Sequence, residues 1–171
     1  MSTILLGYRG AGKTTIGKRL ADRLWQKFVD TDDLVVKVTG KTIRQIFEEH
    51  GESMFRELEV EAVKKALTLD EHVIALGGGA VLSDQARNLL RESKHKRLYL
   101  KCEPQELLRR LQNDPNTVKN RPDLTDLNGG IEEIELLLND REPLYRQVMT
   151  AELDVTNISP EEAVGRLARL C

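Results

Sequence analysis

The sequence carries little that points to a metal cage, a membrane or a polyanionic partner. Its two cysteines, Cys102 and Cys171, stand far apart without a Cys-x-x-Cys spacing, and its three histidines, His50, His72 and His95, are equally scattered. Neither a disulfide framework nor a zinc site is implied, and the histidines read as surface or internally satisfied residues rather than ligands. Aromatic residues make up only 4% of the chain, so the core has to be built from Leu, Ile, Val and Ala. No apolar run exceeds about five residues, far short of the roughly 20 that span a bilayer. The first residues, Met1-Ser2-Thr3-Ile4-Leu5-Leu6-Gly7, have neither a positive lead nor an apolar stretch of secretory length. A cytoplasmic protein with no membrane partner is expected. Charge of one sign is missing as well: 26 Lys and Arg against 28 Asp and Glu leave a net charge of −2, with no field to draw in a nucleic acid. The length of 171 residues and the balanced surface are compatible with a single domain over 1–171 and with a monomer.

What is present is a regular alternation. Thr3 to Leu6, Lys27 to Asp30, His72 to Leu76, Lys96 to Leu100 and Glu152 to Val155 read as strands. Ile16, Leu20 and Leu24 form a helical stripe after Lys13, and Ile43, Ile46 and Phe47 mark another. Further helical stretches run over Ser53 to Leu67, Ser83 to Glu92, Pro104 to Asn113, Ile131 to Val148 and Pro160 to Leu170. Ser159, Pro160 and Glu162 supply a start signal for the last of them. Strands separated by crossover-length helices call for an α/β fold with a parallel sheet covered on both faces, and such sheets bind ligands at their strand C-terminal ends. From Asp114 to Gly130 the periodicity gives way to Asn, Asp, Pro and Gly, a loop long enough to serve as a lid.

Gly7-Tyr8-Arg9-Gly10-Ala11-Gly12-Lys13-Thr14 fits G-x-x-x-x-G-K-[ST], directly after a strand and directly before a helix. With ordinary residue frequencies the pattern arises by chance in about one chain of this length in 200. Its glycines let the backbone wrap a phosphate chain, its N–H groups and the helix N-terminus face the anion, and Lys13 reaches the outer phosphates. Thr14 is then placed to hold magnesium. Asp30-Thr31-Asp32-Asp33 ends the second strand at the same sheet edge. These carboxylates suit a water-mediated magnesium contact and an acceptor hydroxyl, or equally a helix N-cap. Gly77-Gly78-Gly79 follows the third strand, and a run without side chains either admits a small ligand close to the backbone or makes a plain turn. Arg56, Arg121 and Arg141 have no meaning from spacing alone and read as ordinary solvated or ion-paired residues.

Taken together, the phosphate loop, Phe28-Val29-Asp30-Thr31-Asp32, Phe55-Arg56-Glu57-Leu58-Glu59, Gly77-Gly78-Gly79, Asn120-Arg121-Pro122 and Arg141-Glu142-Pro143-Leu144-Tyr145-Arg146 resemble the shikimate kinases. The likeness covers nearly the whole chain, in order and spacing as well as content. It implies a three-layer α/β/α phosphate-loop NTPase fold with a five-stranded parallel sheet ordered 2-3-1-4-5. An acceptor-binding subdomain over about 32–60 and a short lid over about 114–130 go with it. The implied reaction is transfer of the γ-phosphoryl group of MgATP to the 3-hydroxyl of shikimate. In that likeness Gly10, Ala11, Gly12, Lys13, Thr14 and Thr15 bind ATP, Asp32 orients the acceptor hydroxyl and Asp30 supports Mg2+ through water. Arg56 and Arg141 grip the shikimate carboxylate, a task suited to the guanidinium fork, and Gly78 and Gly79 line the ring. Arg121 corresponds to the lid arginine that stabilises the transferring group. Arg110 stacks on adenine, and the loop from Asn157 to Pro160 closes its other side. An acidic residue, Asp123, follows the Arg-Pro pair where many members are apolar, and Arg9 stays outside the implied catalytic set. Two rivals share the phosphate loop: a kinase of gluconate or a nucleoside monophosphate, and a nucleotide-binding switch without catalysis.

Overall fold

The computed structural model describes residues 1–114 and 130–171. Five strands, β1 (Thr3–Leu6), β2 (Lys27–Asp30), β3 (His72–Ala75), β4 (Lys96–Lys101) and β5 (Ala151–Asp154), form one sheet in the order β2-β3-β1-β4-β5. Every pairing is parallel. Among the described residues seven α-helices surround it: α1 (Lys13–Leu24), α2 (Thr31–Thr39), α3 (Ile43–Leu67), α4 (Asp84–Glu92), α5 (Pro104–Gln112), α6 (Ile131–Val148) and α7 (Pro160–Leu167). Of the lid expected over about 114–130, residues 115–129, Arg121 among them, lie outside those described.

Side-chain alternation in the strands builds two cores. Leu5, Val73, Leu98 and Leu100 point to one face, against Ile16 and Leu20 of α1, Leu107 of α5 and Leu167 of α7. Ile4, Leu6, Ile74, Leu76 and Tyr99 point to the other, against Val63 of α3, Leu90 of α4 and Tyr145 of α6. This is the period of two that a strand imposes, and β1, fully buried, sits at the centre where a parallel sheet is covered on both sides. A third, smaller core joins Val35 of α2 to Ile43, Ile46, Phe55 and Ala62 of α3. Phe47 and Phe55 pack there with ring centroids 4.8 Å apart.

Local signals account for most boundaries. Thr42 caps α3 in a full capping box with Gln45, and Ser159 Oγ accepts the Glu162 amide at 3.1 Å to start α7. The two apolar stripes at Ile43 and after Ser53 are two helical stretches within α3, divided at Gly51, whose φ of 79° is non-helical. The last helix ends at Leu167 rather than Leu170, and the last strand begins one residue earlier than the sequence pattern suggests. Helix α2 is an addition to that pattern. Its run Val35-Val36-Lys37-Val38-Thr39 is a poor helix former, yet the Asp30 side chain caps it and Val35 is buried against α3. His95 is satisfied internally: Nδ1 accepts the Ser2 amide at 3.1 Å, and Nε2 lies 2.9 Å from the Leu67 carbonyl. No described helix is long and apolar enough to cross a membrane.

Candidate active site

The site is built where β1, β2, β3 and β5 end. Between β1 and α1 the chain turns through Gly10 (φ 83°) and Gly12 (φ 93°), left-handed positions that favour glycine. Gly12 then opens α1 with no side-chain cap, and a helix start of this kind is suited to meet an anion. Lys13 Nζ lies back across this loop and donates to the carbonyls of Gly7 at 2.7 Å and Tyr8 at 2.9 Å. Thr14 Oγ1 donates to Asp30 Oδ2 at 2.9 Å, which brings the ends of β1 and β2 together. The other oxygen of Asp30 accepts the Asp32 amide at 3.0 Å. Of the two carboxylates, Asp30 is therefore the cap of α2, and Asp32, 8% exposed, is left facing the cleft.

A cavity of about 1070 Å³ opens over the loop, lined by Gly10, Gly12, Lys13, Thr14 and Thr15, with Asp30, Asp32 and Gly78 at one side. Arg110 and Asn157 line its far end. Arg110 is fixed in three directions: Nε donates to Glu106 at 2.7 Å, Nη2 to the Val155 carbonyl at 2.7 Å and Nη1 to the Ala11 carbonyl at 3.5 Å. Its guanidinium thus spans from the phosphate loop to the end of β5, a flat cationic surface. Hydrogen bonds from Arg109, then Arg110, push the Glu106 carboxyl down to about 2.

A second, narrower cavity adjoins the first, lined by Arg9, Asp32, Arg56, Glu59, Gly79 and Arg141. Asp32 and Gly78 line both cavities. Arg56 is held by two carboxylates of α3, with Nη1 2.8 Å from Glu59 and Nη2 2.9 Å from Glu52. Its guanidinium lies against Gly79, where a Cβ would stand 2.2 Å from Nη1. Glu59 is 2% exposed; burial raises its pKa, the Arg56 charge and hydrogen bond counter that, and the charge of Asp32 adds to the rise. Arg141 of α6 is buried, with Nη1 3.4 Å from the Gly78 carbonyl and its guanidinium 5.6 Å from the Tyr8 ring centroid. Its Nε has no hydrogen-bond partner among the described residues.

The described site residues expected from sequence line these two adjoining cavities, except Ala11, which is buried behind the loop and lines neither; Arg121 lies outside the described residues. Three further residues join them. Arg9 lines both cavities, with Nη2 3.0 Å from the buried Glu133 at the start of α6. Glu59 had a local signal, standing one helical turn after Arg56. Tyr145 donates from Oη to the Gly78 carbonyl at 2.5 Å, a contact no local spacing announces. No group of three or more His, Cys, Asp or Glu side chains among the described residues forms a metal site by itself. The pair Thr14 and Asp30 nevertheless offers a hydroxyl and a carboxylate, the hard oxygens that suit Mg2+ when waters and phosphates complete the shell.

Residues 9–171 match the family model described as shikimate kinase. The chain is 40% identical over 166 residues to a shikimate kinase of Rhodococcus erythropolis, covering 96% of this chain and 93% of that protein. A shikimate kinase of Saccharopolyspora erythraea is 42% identical over 164 residues, covering 96% of this chain and 90% of the other. Among solved structures, the shikimate kinase of Acinetobacter baumannii in complex with shikimate superposes with a TM-score of 0.91 at 32% identity, over 99% of this chain and 91% of that one. A gluconokinase of Sinorhizobium meliloti, at 19% identity and a TM-score of 0.62, shares the fold.

Proposed function

The chain belongs to the shikimate kinase family and is an ATP-dependent kinase acting on shikimate, and on that premise we propose how its residues divide the work. ATP lies in the larger cavity, its phosphates wrapped by residues 10–15 and its adenine between Arg110 and the Asn157 loop. Lys13 trades the Gly7 and Tyr8 carbonyls for the β- and γ-phosphates, where its charge meets the charge that builds up in transfer. Shikimate lies in the narrower cavity with its carboxylate between Arg56 and Arg141 and its ring against Gly78 and Gly79. The unpartnered Nε of Arg141 supports that assignment, because a buried guanidinium with donor capacity to spare suits a carboxylate.

The observation that carries this reading is the position of Asp32, which lines both cavities. There its carboxylate aligns the 3-hydroxyl with the γ-phosphorus. As the hydroxyl oxygen bonds to that phosphorus, the bond to the β–γ bridging oxygen breaks, ADP leaves, and Asp32 accepts the hydroxyl proton. Thr14 would hold Mg2+ directly and Asp30 through water, where the metal would supply positive charge to offset that of the phosphates. Arg121 adds a second positive charge to the transferring group. As part of this proposal the protein works as a monomer in the cytoplasm, its 171 residues being enough for one self-sufficient domain. The test is Asp32→Asn: ADP affinity stays within about twofold while turnover falls at least about 100-fold. Turnover near wild type removes Asp32 from the reaction.

A further inference from the structure

The segment that carries Arg141 holds a second side chain aimed at the glycines beyond β3. Tyr145 stands one turn later on the same face of α6 and is 1% exposed. Its Oη donates to the Gly78 carbonyl at 2.5 Å, while Arg141 reaches the same oxygen only at 3.4 Å. The ring has no freedom to swing away, because it stacks on Tyr99 with centroids 5.0 Å apart and an interplanar angle of 21°. Burial raises the phenol pKa well above its ordinary value, so the group remains a proton donor.

The partner of this bond is the middle peptide of a turn, closed by the Ala80 N–H on the Gly77 carbonyl at 3.1 Å. Gly77, Gly78 and Gly79 carry no Cβ, so little but their hydrogen bonds decides which way the Gly78–Gly79 peptide faces. No peptide in the described residues is cis, and in a trans peptide the carbonyl and the next N–H point in opposite directions. A carbonyl turned toward α6 therefore turns the Gly79 N–H away from it. Gly79 lines the narrower cavity, where Arg56 packs against it.

We propose that Tyr145 is a positioning residue for the acceptor: its hydroxyl locks the Gly78–Gly79 peptide so that the Gly79 N–H faces the narrower cavity and donates to shikimate. The inference rests on the placement of shikimate between Arg56, Arg141 and these glycines. The hydroxyl touches no substrate; it acts through the peptide and through the Arg141 guanidinium beside it. Losing it leaves ATP binding and the transfer step alone, but lets the peptide rotate and weakens the acceptor complex.

Tyr145→Phe, Tyr99→Phe and Arg141→Lys, measured by ADP release with shikimate and ATP varied in turn, test it. Tyr145→Phe is expected to raise the KM for shikimate by about 5- to 10-fold, the effect of about one hydrogen bond. Its kcat and KM for ATP stay within about twofold. Tyr99→Phe, which removes a neighbouring buried hydroxyl, leaves all three constants unchanged. A KM for shikimate within twofold of wild type in Tyr145→Phe, whatever its melting temperature, overturns the proposal and leaves the hydroxyl a packing group. Arg141→Lys separates this from the acceptor reading itself: an unchanged KM for shikimate in that variant places the acceptor elsewhere. A readout on the unmodified protein stands beside the variants. The Gly79 amide proton resonance is expected to move downfield as shikimate saturates the protein, and an unmoved resonance overturns the proposal.

Discussion

A single methyl group placed at Gly77 tests whether the position of Asp32 governs turnover. A Cβ there would lie 2.6 Å from Asp32 Oδ1 and 2.6 Å from Glu59 Oε1, whereas ordinary contact begins at 3.4 Å, so the carboxylates must yield by about 0.8 Å. The backbone is not the obstacle, because the φ of Gly77 lies outside the left-handed region. Nor can the two elements readily separate. The Gly77 amide donates to Thr31 Oγ1 at 2.9 Å, and the Asp32 amide donates to Asp30 at 3.0 Å, which ties β3 to the start of α2. Glu59 is held in turn by Arg56. The Asp32 side chain is therefore what moves, and a displacement approaching 1 Å at a reacting centre costs on the order of 100-fold in rate. Gly77→Ala is expected to lower kcat by about 10- to 100-fold in a coupled ADP-release assay. ADP affinity stays within about twofold, since no atom of the phosphate loop is among the three nearest the new methyl group. Gly165→Ala in α7 is the matched control: its Cβ meets nothing within 4 Å, so kcat is unchanged and stability rises by about 0.5–1 kcal/mol from helix propensity. A folded Gly77→Ala variant with kcat within twofold of wild type refutes the reasoning.

Two other perturbations follow from the same geometry. Arg56→Lys is expected to raise the KM for shikimate by about tenfold with little change in the KM for ATP, because an ammonium cannot pair with Glu52, Glu59 and a substrate carboxylate as a fork does; an unchanged KM makes Arg56 a structural residue. Glu106 has its folded-state pKa depressed from 4.5 to about 2 by Arg109 and Arg110, so its contribution to stability is fully present above about pH 4.5 and is lost as pH falls toward 2. The Glu106→Gln protein should thus melt below wild type at pH 7, with the gap closing between pH 4.5 and 2 and with a raised KM for ATP as Arg110 loses its anchor. A gap that does not vary with pH assigns the effect to packing.

The strands and most helices were legible because their signals are local: the short apolar run of β1, the stripe of α1, the start signal at Ser159 for α7. The phosphate loop was legible for the same reason, since all its groups sit within eight consecutive residues. Helix α2 was not, because its valines argue against a helix and what holds it is a cap from Asp30 and burial of Val35 on α3. Spacing alone could not tell Asp30 from Asp32, as a carboxylate at a strand edge can cap or face a ligand, and only the resemblance gave them different roles. The fold assigns the cap to the first and leaves the second in the cleft. Arg9 with Glu133, and Tyr145 with Gly78, meet across 124 and 67 positions; no spacing rule reaches so far. Arg56 and Arg141 illustrate the middle case. Spacing made them ordinary surface arginines, resemblance assigned them a carboxylate, and packing puts both beside Gly78 and Gly79.

The central claim is that the narrower cavity takes shikimate and that Asp32 presents its hydroxyl to ATP. ADP formation by the purified protein with Mg2+ and ATP, measured with shikimate, gluconate, a nucleoside monophosphate or no acceptor, tests it most directly. The account predicts ADP release that depends on shikimate and is abolished, to within about 1% of wild type, by Asp32→Asn. ADP release that is no faster with shikimate than without it, or that responds equally to gluconate, contradicts it.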